Sequence, residues 1–189
     1  MMKEYKRVYP AFSLCGLNCG LCPRYQMEGS SKCPGCGGVN FHLKHPSCAV
    51  INCNRKHDNV EYCFQCSIYP CERYTKQSEV DSFISYKNVL SDFQKAEKLG
   101  LEDYKLQLNS KIDILEFLIR NYNDGRRKNF YCTAVNLLEL NDLKDIVKEI
   151  DRQISGKDCD LKEKISSIVA LFEDRAKKAD IELKLRKPN

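Results

Sequence analysis

The sequence predicts a mainly α-helical protein in two parts: an irregular, cysteine-rich zinc-knuckle module over residues 1–76, packed on an antiparallel helical bundle over residues 77–189. Three observations predict it. Ten of the twelve cysteines fall between Cys15 and Cys71, in short knuckles. Residues 1–76 also hold six of the nine glycines and all three histidines, with little regular periodicity. From Phe83 onward, apolar residues instead recur every three or four positions, the spacing that lines one face of a helix.

In the first part, Cys15, Cys19 and Cys22 read C-x3-C-x2-C, Cys33 and Cys36 read C-x2-C, and Cys48 and Cys53 read C-x4-C. Cys63, Cys66 and Cys71 close the run as C-x2-C-x4-C. A C-x2-C turn lets two thiolates converge on one ion at about 2.3 Å, with local backbone amides free to face the sulfurs. In CPGCGGVN, Cys33–Asn40, glycine supplies the positive φ angles that tight knuckles need. The segment has few aliphatic residues, so metal is expected to supply stability that a small core does not. Short helices are expected after Cys19 and around Cys66–Tyr74.

The second part reads as successive helices. Ser78 and Asp81 resemble a capping box before a stripe at Phe83, Tyr86, Leu90 and Phe93, and Gly100 follows Leu99 where a helix would end. Leu101, Tyr104, Leu108, Ile112, Leu115, Ile119 and Tyr122 form the cleanest stripe, broken by Asn123, Asp124 and Gly125. A shorter helix is expected over Phe130–Leu138. Asn141 then caps a segment carrying Leu143, Val147, Ile150 and Ile154, closed by Gly156. Asp160 and Glu163 start the last helix, with Leu161, Ile165, Ile168 and Phe172 on its apolar face. The tail from Ile181 is charged and expected to fray.

A disulfide framework is the rival reading of so many cysteines, and compartment separates the two. The opening MMKEYKRVYPAFSLCG carries no apolar h-region, and no run of eighteen apolar residues occurs. The expectation is therefore a cytoplasmic protein with no membrane span, in which clustered thiols bind metal. The net charge of +5 sits entirely in residues 1–77, which carry ten Lys/Arg against five Asp/Glu. Two tetrathiolate zinc sites would add −8 and +4 and leave +1. Nucleic acid is thereby disfavoured as a partner.

SLCGLNCGLCPRYQ at Ser13–Gln26, CPGC at Cys33–Cys36, CAVINC at Cys48–Cys53 and CFQCSIYPCERY at Cys63–Tyr74 resemble one family. It is a prokaryotic, cysteine-rich group catalogued as domain of unknown function 3795 and thought to bind zinc. All ten cysteines are in register with its pattern, and longer members are similar also to NYNDGRRKNFYCTAVNLLEL at Asn121–Leu140. The resemblance implies a zinc-binding fold and leaves activity open.

Ten cysteines do not divide evenly into four-ligand sites. Two zinc ions leave two thiols over, and three ions need two ligands from His42, His45 and His57. Cys33, Cys36, Cys48 and Cys53 make the most local grouping, with the two outer triads sharing a second ion. His45 in its polar loop reads as a solvated residue. C-x3-C-x2-C is also the spacing with which radical S-adenosylmethionine enzymes hold an iron–sulfur cluster, so a redox protein or enzyme with a cluster or open metal site at Cys15, Cys19 and Cys22 is the alternative. Against it, more knuckles and then helices follow, where those enzymes place β/α units.

Cys132 reads as a small buried apolar residue, with a reactive thiol beside Arg126-Arg127-Lys128 as the alternative. Cys159, between two aspartates, reads as inert. No phosphate loop, H-E-x-x-H or G-x-S-x-G motif occurs, and no catalytic residue stands out. The expected function is a zinc-binding interaction or regulatory module without catalysis, with a protein as its partner.

Overall fold

The computed structural model describes residues 5–45, 47–76, 80–156 and 160–187. Among them lie eight α-helices and no strand: α1 (Phe41–Lys44), α2 (Ala49–Lys56), α3 (Glu72–Thr75), α4 (Val89–Leu99), α5 (Leu101–Tyr122), α6 (Lys128–Leu137), α7 (Leu140–Ile150) and α8 (Leu161–Lys178). Single 3₁₀ turns at Cys19–Leu21, Gly29–Ser31 and Cys63–Gln65 punctuate the first part, and a π-helical turn, Asp151–Ser155, extends α7. No helix among the described residues is long and apolar enough to cross a membrane.

The helical stripes are where periodicity put them. Tyr104, Leu108, Leu115 and Tyr122 are buried on α5, Leu143, Ile146 and Ile150 on α7, and Ile165, Ile168 and Phe172 on α8. Asp160 accepts from the backbone N–H of Glu163 at 2.7 Å, the N-cap its sequence suggests. Between α5 and α6, Asn123 Oδ1 accepts from the amides of Gly125 and Arg127, so the Asn-Asp-Gly break is an Asx-type turn. Arg175 reaches Asp142 at 2.8 Å and ties α8 to α7.

Four expectations need correction. Asn141 does not cap α7 but lies inside it, the N-cap being Glu139, and Leu161, expected on the apolar face of α8, is exposed at the start of that helix. The stripe opening at Phe83 does not start a helix: α4 begins at Val89, and Phe83 is 59% exposed. Asp81 instead organises a loop, accepting from the amide of Tyr86 and the hydroxyl of Ser85, and from both the amide and the guanidinium of Arg186. Ser78, its proposed capping partner, lies outside the described residues. The tail is likewise not frayed. Asp81 N–H donates back to the Arg186 carbonyl at 3.0 Å, and Ile181 and Leu183 pack against the core. A carboxylate that serves five donors over a long loop cannot be read from a helix pattern.

The core is shared. Phe12, Leu21 and Tyr62 from the cysteine-rich segment belong to the same apolar cluster as Phe93, Tyr104, Leu115, Tyr131 and Phe172. Phe12 alone contacts the rings of Tyr62, Phe93 and Tyr104, at centroid distances of 5.0, 5.8 and 4.7 Å. A second, smaller cluster of Leu14, Phe41 and Ile51 lies wholly within the cysteine-rich segment.

Candidate metal centre

Glycine lets the first cysteine loop press onto the helices. Gly16 has φ +88°, and a Cβ there would stand 2.7 Å from the ring of Phe93 on α4. A Cβ at Gly20 would collide with Ile112 on α5. Only glycine satisfies the backbone and the space at Gly16. The other knuckles are then hung on this loop through backbone hydrogen bonds: Cys63 N–H to Leu14 O at 2.9 Å, Cys36 N–H to Pro10 O at 3.0 Å, and Cys33 N–H to Arg24 O at 2.9 Å.

All eleven described cysteines are free thiols. Cys159 lies outside the described residues. Cys53, Cys63, Cys66, Cys71 and His57 all line one small cavity of about 20 Å³, room for a single small sphere. His57 Nδ1 donates to the Cys53 carbonyl at 2.9 Å and stands 3.6 Å from its sulfur. That contact leaves Nε2 as the free ring nitrogen. Cys19 forms a second neighbourhood. Burial pushes its thiol well up, and the nearby charges of Cys36, Cys15 and Cys22 push the same way. Cys33 lies 3.5 Å from Nε2 of His45, whose ring stacks on Phe41 at 4.8 Å. His45 is exposed, as expected of a solvated residue, with the Cys33 thiol as its neighbour, and His42 is exposed on α1.

Cys53, on α2, shares its cavity with Cys63, Cys66 and Cys71. Cys48 and Cys63 are both close enough to Cys15 to perturb it or be perturbed by it. Burial raises Cys63 to about 12, with Tyr74 opposing through a hydrogen bond. Burial also raises Cys36, while the amide of Leu14 and the cation of Arg7 lower it. Arg7 is itself buried, its guanidinium 4.4 Å from the Tyr62 ring centroid and hydrogen-bonded to Glu61.

As positioned, no three His, Cys, Asp or Glu side chains among the described residues are drawn together closely enough to hold a metal ion. The donor types nevertheless fit a soft divalent cation: thiols and an imidazole, which this cavity has among its lining residues, are the ligand types of structural zinc.

Sequence reasoning missed the polar seam beneath this centre. Asn18, inside the first knuckle, donates to Asp92 Oδ2 at 2.8 Å and to Asn136 Oδ1 at 3.4 Å, and accepts from the Tyr104 hydroxyl at 2.9 Å. Lys111 donates to the Asn136 carbonyl at 3.3 Å. Asn18, Asp92 and Asn136 are each at most 5% exposed. Burial lifts Asp92 to about 6, against the pull of Lys111 and Lys95, and burial lowers Lys111 to about 8. The available signal was an aspartate beside Phe93 on the apolar face of α4. Cys132 is buried and raised by that burial to about 12, which favours the inert reading over a reactive thiol.

Comparison with curated proteins and with solved structures returns no match. Residues 11–76 match the family described as "Protein of unknown function (DUF3795)", the family that the cysteine pattern resembles.

Proposed function

We propose that residues 11–76 form a structural zinc module of the knuckle type, seated on an antiparallel helical bundle and acting in the cytoplasm as a non-catalytic interaction or regulatory unit with a protein partner. What supports this reading is that Cys53, Cys63, Cys66, Cys71 and His57 are all among the residues lining one small cavity of about 20 Å³. Closed four-ligand zinc leaves no position for water or substrate, so such a site serves architecture. Cys15, Cys19, Cys22 and Cys36 would hold the second ion, with Cys33, Cys48 and His45 at the margins of the two groups.

Metal analysis of the full chain, purified without added metal, tests this. About two equivalents of zinc are expected. Less than one equivalent, with free-thiol titration finding disulfides, would overturn it. The neighbourhood of Cys15, Cys19 and Cys22 supports one second reading, a [4Fe–4S] cluster or open site. Iron with acid-labile sulfide and visible charge-transfer absorption would establish that reading instead.

A further inference from the structure

A cavity of about 300 Å³ lies between the cysteine-rich segment, the start of α4 and the C-terminal tail. Four cations surround it, Arg73, Lys76, Lys87 and Arg186, and no carboxylate is among the described residues that line it. Val50, Tyr74, Tyr86, Val89 and Leu90 supply an apolar and aromatic wall, and Cys15 lies at its floor. Two of the cations are partly matched elsewhere. Arg186 pairs with Asp81 at 2.8 Å, and Lys76 pairs with Glu72 at 3.3 Å on the exposed face of α3. Lys87 feels the nearby carboxylate of Glu182, so the positive charge of the cavity with no such counterpart among the described residues falls chiefly to Arg73.

We propose that this cavity binds a small organic anion, a phosphate monoester or carboxylate carrying an apolar body about the size of one aromatic ring. Planar guanidinium groups suit the oxygens of carboxylate and phosphate, and lysine adds a point charge. A ligand pocket of this kind is an apolar concavity with a few converging polar groups, and about 300 Å³ is the lower end of the usual range. Tyr74 and Tyr86 flank the space where a ring would lie. The site takes residues from Cys15 to Arg186, so only the folded, tail-anchored chain builds it. Cys15 belongs also to the proposed second metal site, so the test reads metal content beside binding.

The test is calorimetric or NMR titration of the full chain, at low salt, with phenyl phosphate, with inorganic phosphate and with phenol. Phenyl phosphate is expected to bind saturably with a Kd of about 1 mM or below, and each fragment about tenfold or more weaker, since ring and anion contribute jointly. The double variant Arg73→Gln/Lys87→Gln should weaken phenyl phosphate at least about tenfold. Lys98→Gln, at the far end of α4, should not change binding. Leu90→Trp should block the cavity with every charge in place. Metal content and circular dichroism of each variant report on folding. Failure of phenyl phosphate to saturate, undiminished binding in the double variant or in Leu90→Trp, or loss of bound metal together with binding in the double variant would each overturn the proposal. The last result would mean that these cations serve only to balance the thiolates.

Discussion

Helices α4–α8 bury a stripe of large apolar side chains on every element, whereas residues 5–76 bury among their hydrophobic residues only Ala11, Phe12, Leu14, Leu21, Phe41, Ile51 and Tyr62. The helices satisfy their own backbone along each axis. The loops satisfy theirs through single-turn bonds and through links such as Cys63 to Leu14 and Arg7 to Gly37. The difference is one of what holds the chain when a side chain is lost. Each helix has many neighbours to share a loss, while the loop segment rests on a few aromatic anchors and, on our reading, on metal. The two regions are also unequally joined: Phe12, Leu21 and Tyr62 enter the helical core, but Leu14, Phe41 and Ile51 do not.

The largest expected effect follows from that inequality. Structural zinc contributes on the order of 10–16 kcal/mol in small peptides, comparable to or larger than a domain's usual margin of about 5–15 kcal/mol. A strong chelator, or Cys66→Ser, should therefore open the Cys33–Lys56 region, which has only the smaller cluster beneath it. The stretch around Phe12 and Leu21 should stay protected on the helices. Limited proteolysis with circular dichroism reads this out: early cuts between Cys33 and Lys56 with retained helical signal. Equal protease resistance with and without chelator would break the comparison.

Next in size is the shared anchor. Phe12→Ala removes a fully buried ring that touches Tyr62, Phe93 and Tyr104 and should cost about 3–5 kcal/mol. Because it lies in both regions, chemical denaturation should show both weakened together. Phe41→Ala, in the smaller cluster, should loosen only the loops. If Phe12→Ala left the helices at full stability, the two regions would be separate units.

Much of this architecture was legible. Stripes on α5, α7 and α8 were visible because a solvent-facing helix must repeat its apolar residues at the helical period. The ten clustered cysteines were visible because short, repeated knuckle spacings are local in the sequence. What was not legible depended on partners distant in sequence. Asp81 looks like a helix cap, yet it is held by Arg186, over a hundred residues away. That Cys53 shares a small cavity with Cys66 and Cys71, more than ten residues on, is likewise invisible in local spacing. Asn18 lies inside the first cysteine knuckle, and nothing local says that it reaches Asp92.

The polar seam gives a test by pH. Asp92 is raised in the folded protein to about 6 from an ordinary value of 3.8. Between those values the folded state keeps a proton that the unfolded state has lost, so stability falls as pH rises through roughly 4 to 6. Above 6 the cost is complete, on the order of 3 kcal/mol for about two units. Asp92→Asn keeps an acceptor for Asn18 and should abolish that slope, with stability at neutral pH equal or higher. The gain is limited because Lys111 loses a nearby opposite charge. Persistence of the slope in thermal melts of Asp92→Asn would assign it to another group.

Asp81 has the opposite sign. Burial opposes its ionisation, but hydrogen bonds from Arg186, Tyr86 and Ser85 prevail and hold it at about 2. Its contribution is present above about 4 and lost as pH falls toward 2. Arg186→Ala should cost about 1–3 kcal/mol, the range for a hydrogen bond to a charged group. Amide exchange should then rise first in residues 181–187, without disturbing α5. Unchanged exchange in the tail would mean that Ile181 and Leu183 alone hold it.

The smallest effect separates two cysteines that share one neighbourhood. Cys132 on α6 is 1% exposed and lies near enough to Cys22 to feel its charge. Cys22 belongs to the first knuckle and is expected to ligate metal, whereas Cys132 is expected only to fill space. Cys22→Ala should release bound metal and open the loops. Cys132→Ala removes one sulfur from a packed site and should cost about 1 kcal/mol, with metal content unchanged. Cys132→Ser should cost somewhat more, because it buries a hydroxyl in an apolar surrounding. Measuring metal stoichiometry and thermal stability side by side decides the matter. Loss of metal in Cys132→Ala would show that the boundary between thiols that bind and thiols that pack runs inside the helical region, and the division of labour drawn from the cysteine spacing would have to move with it.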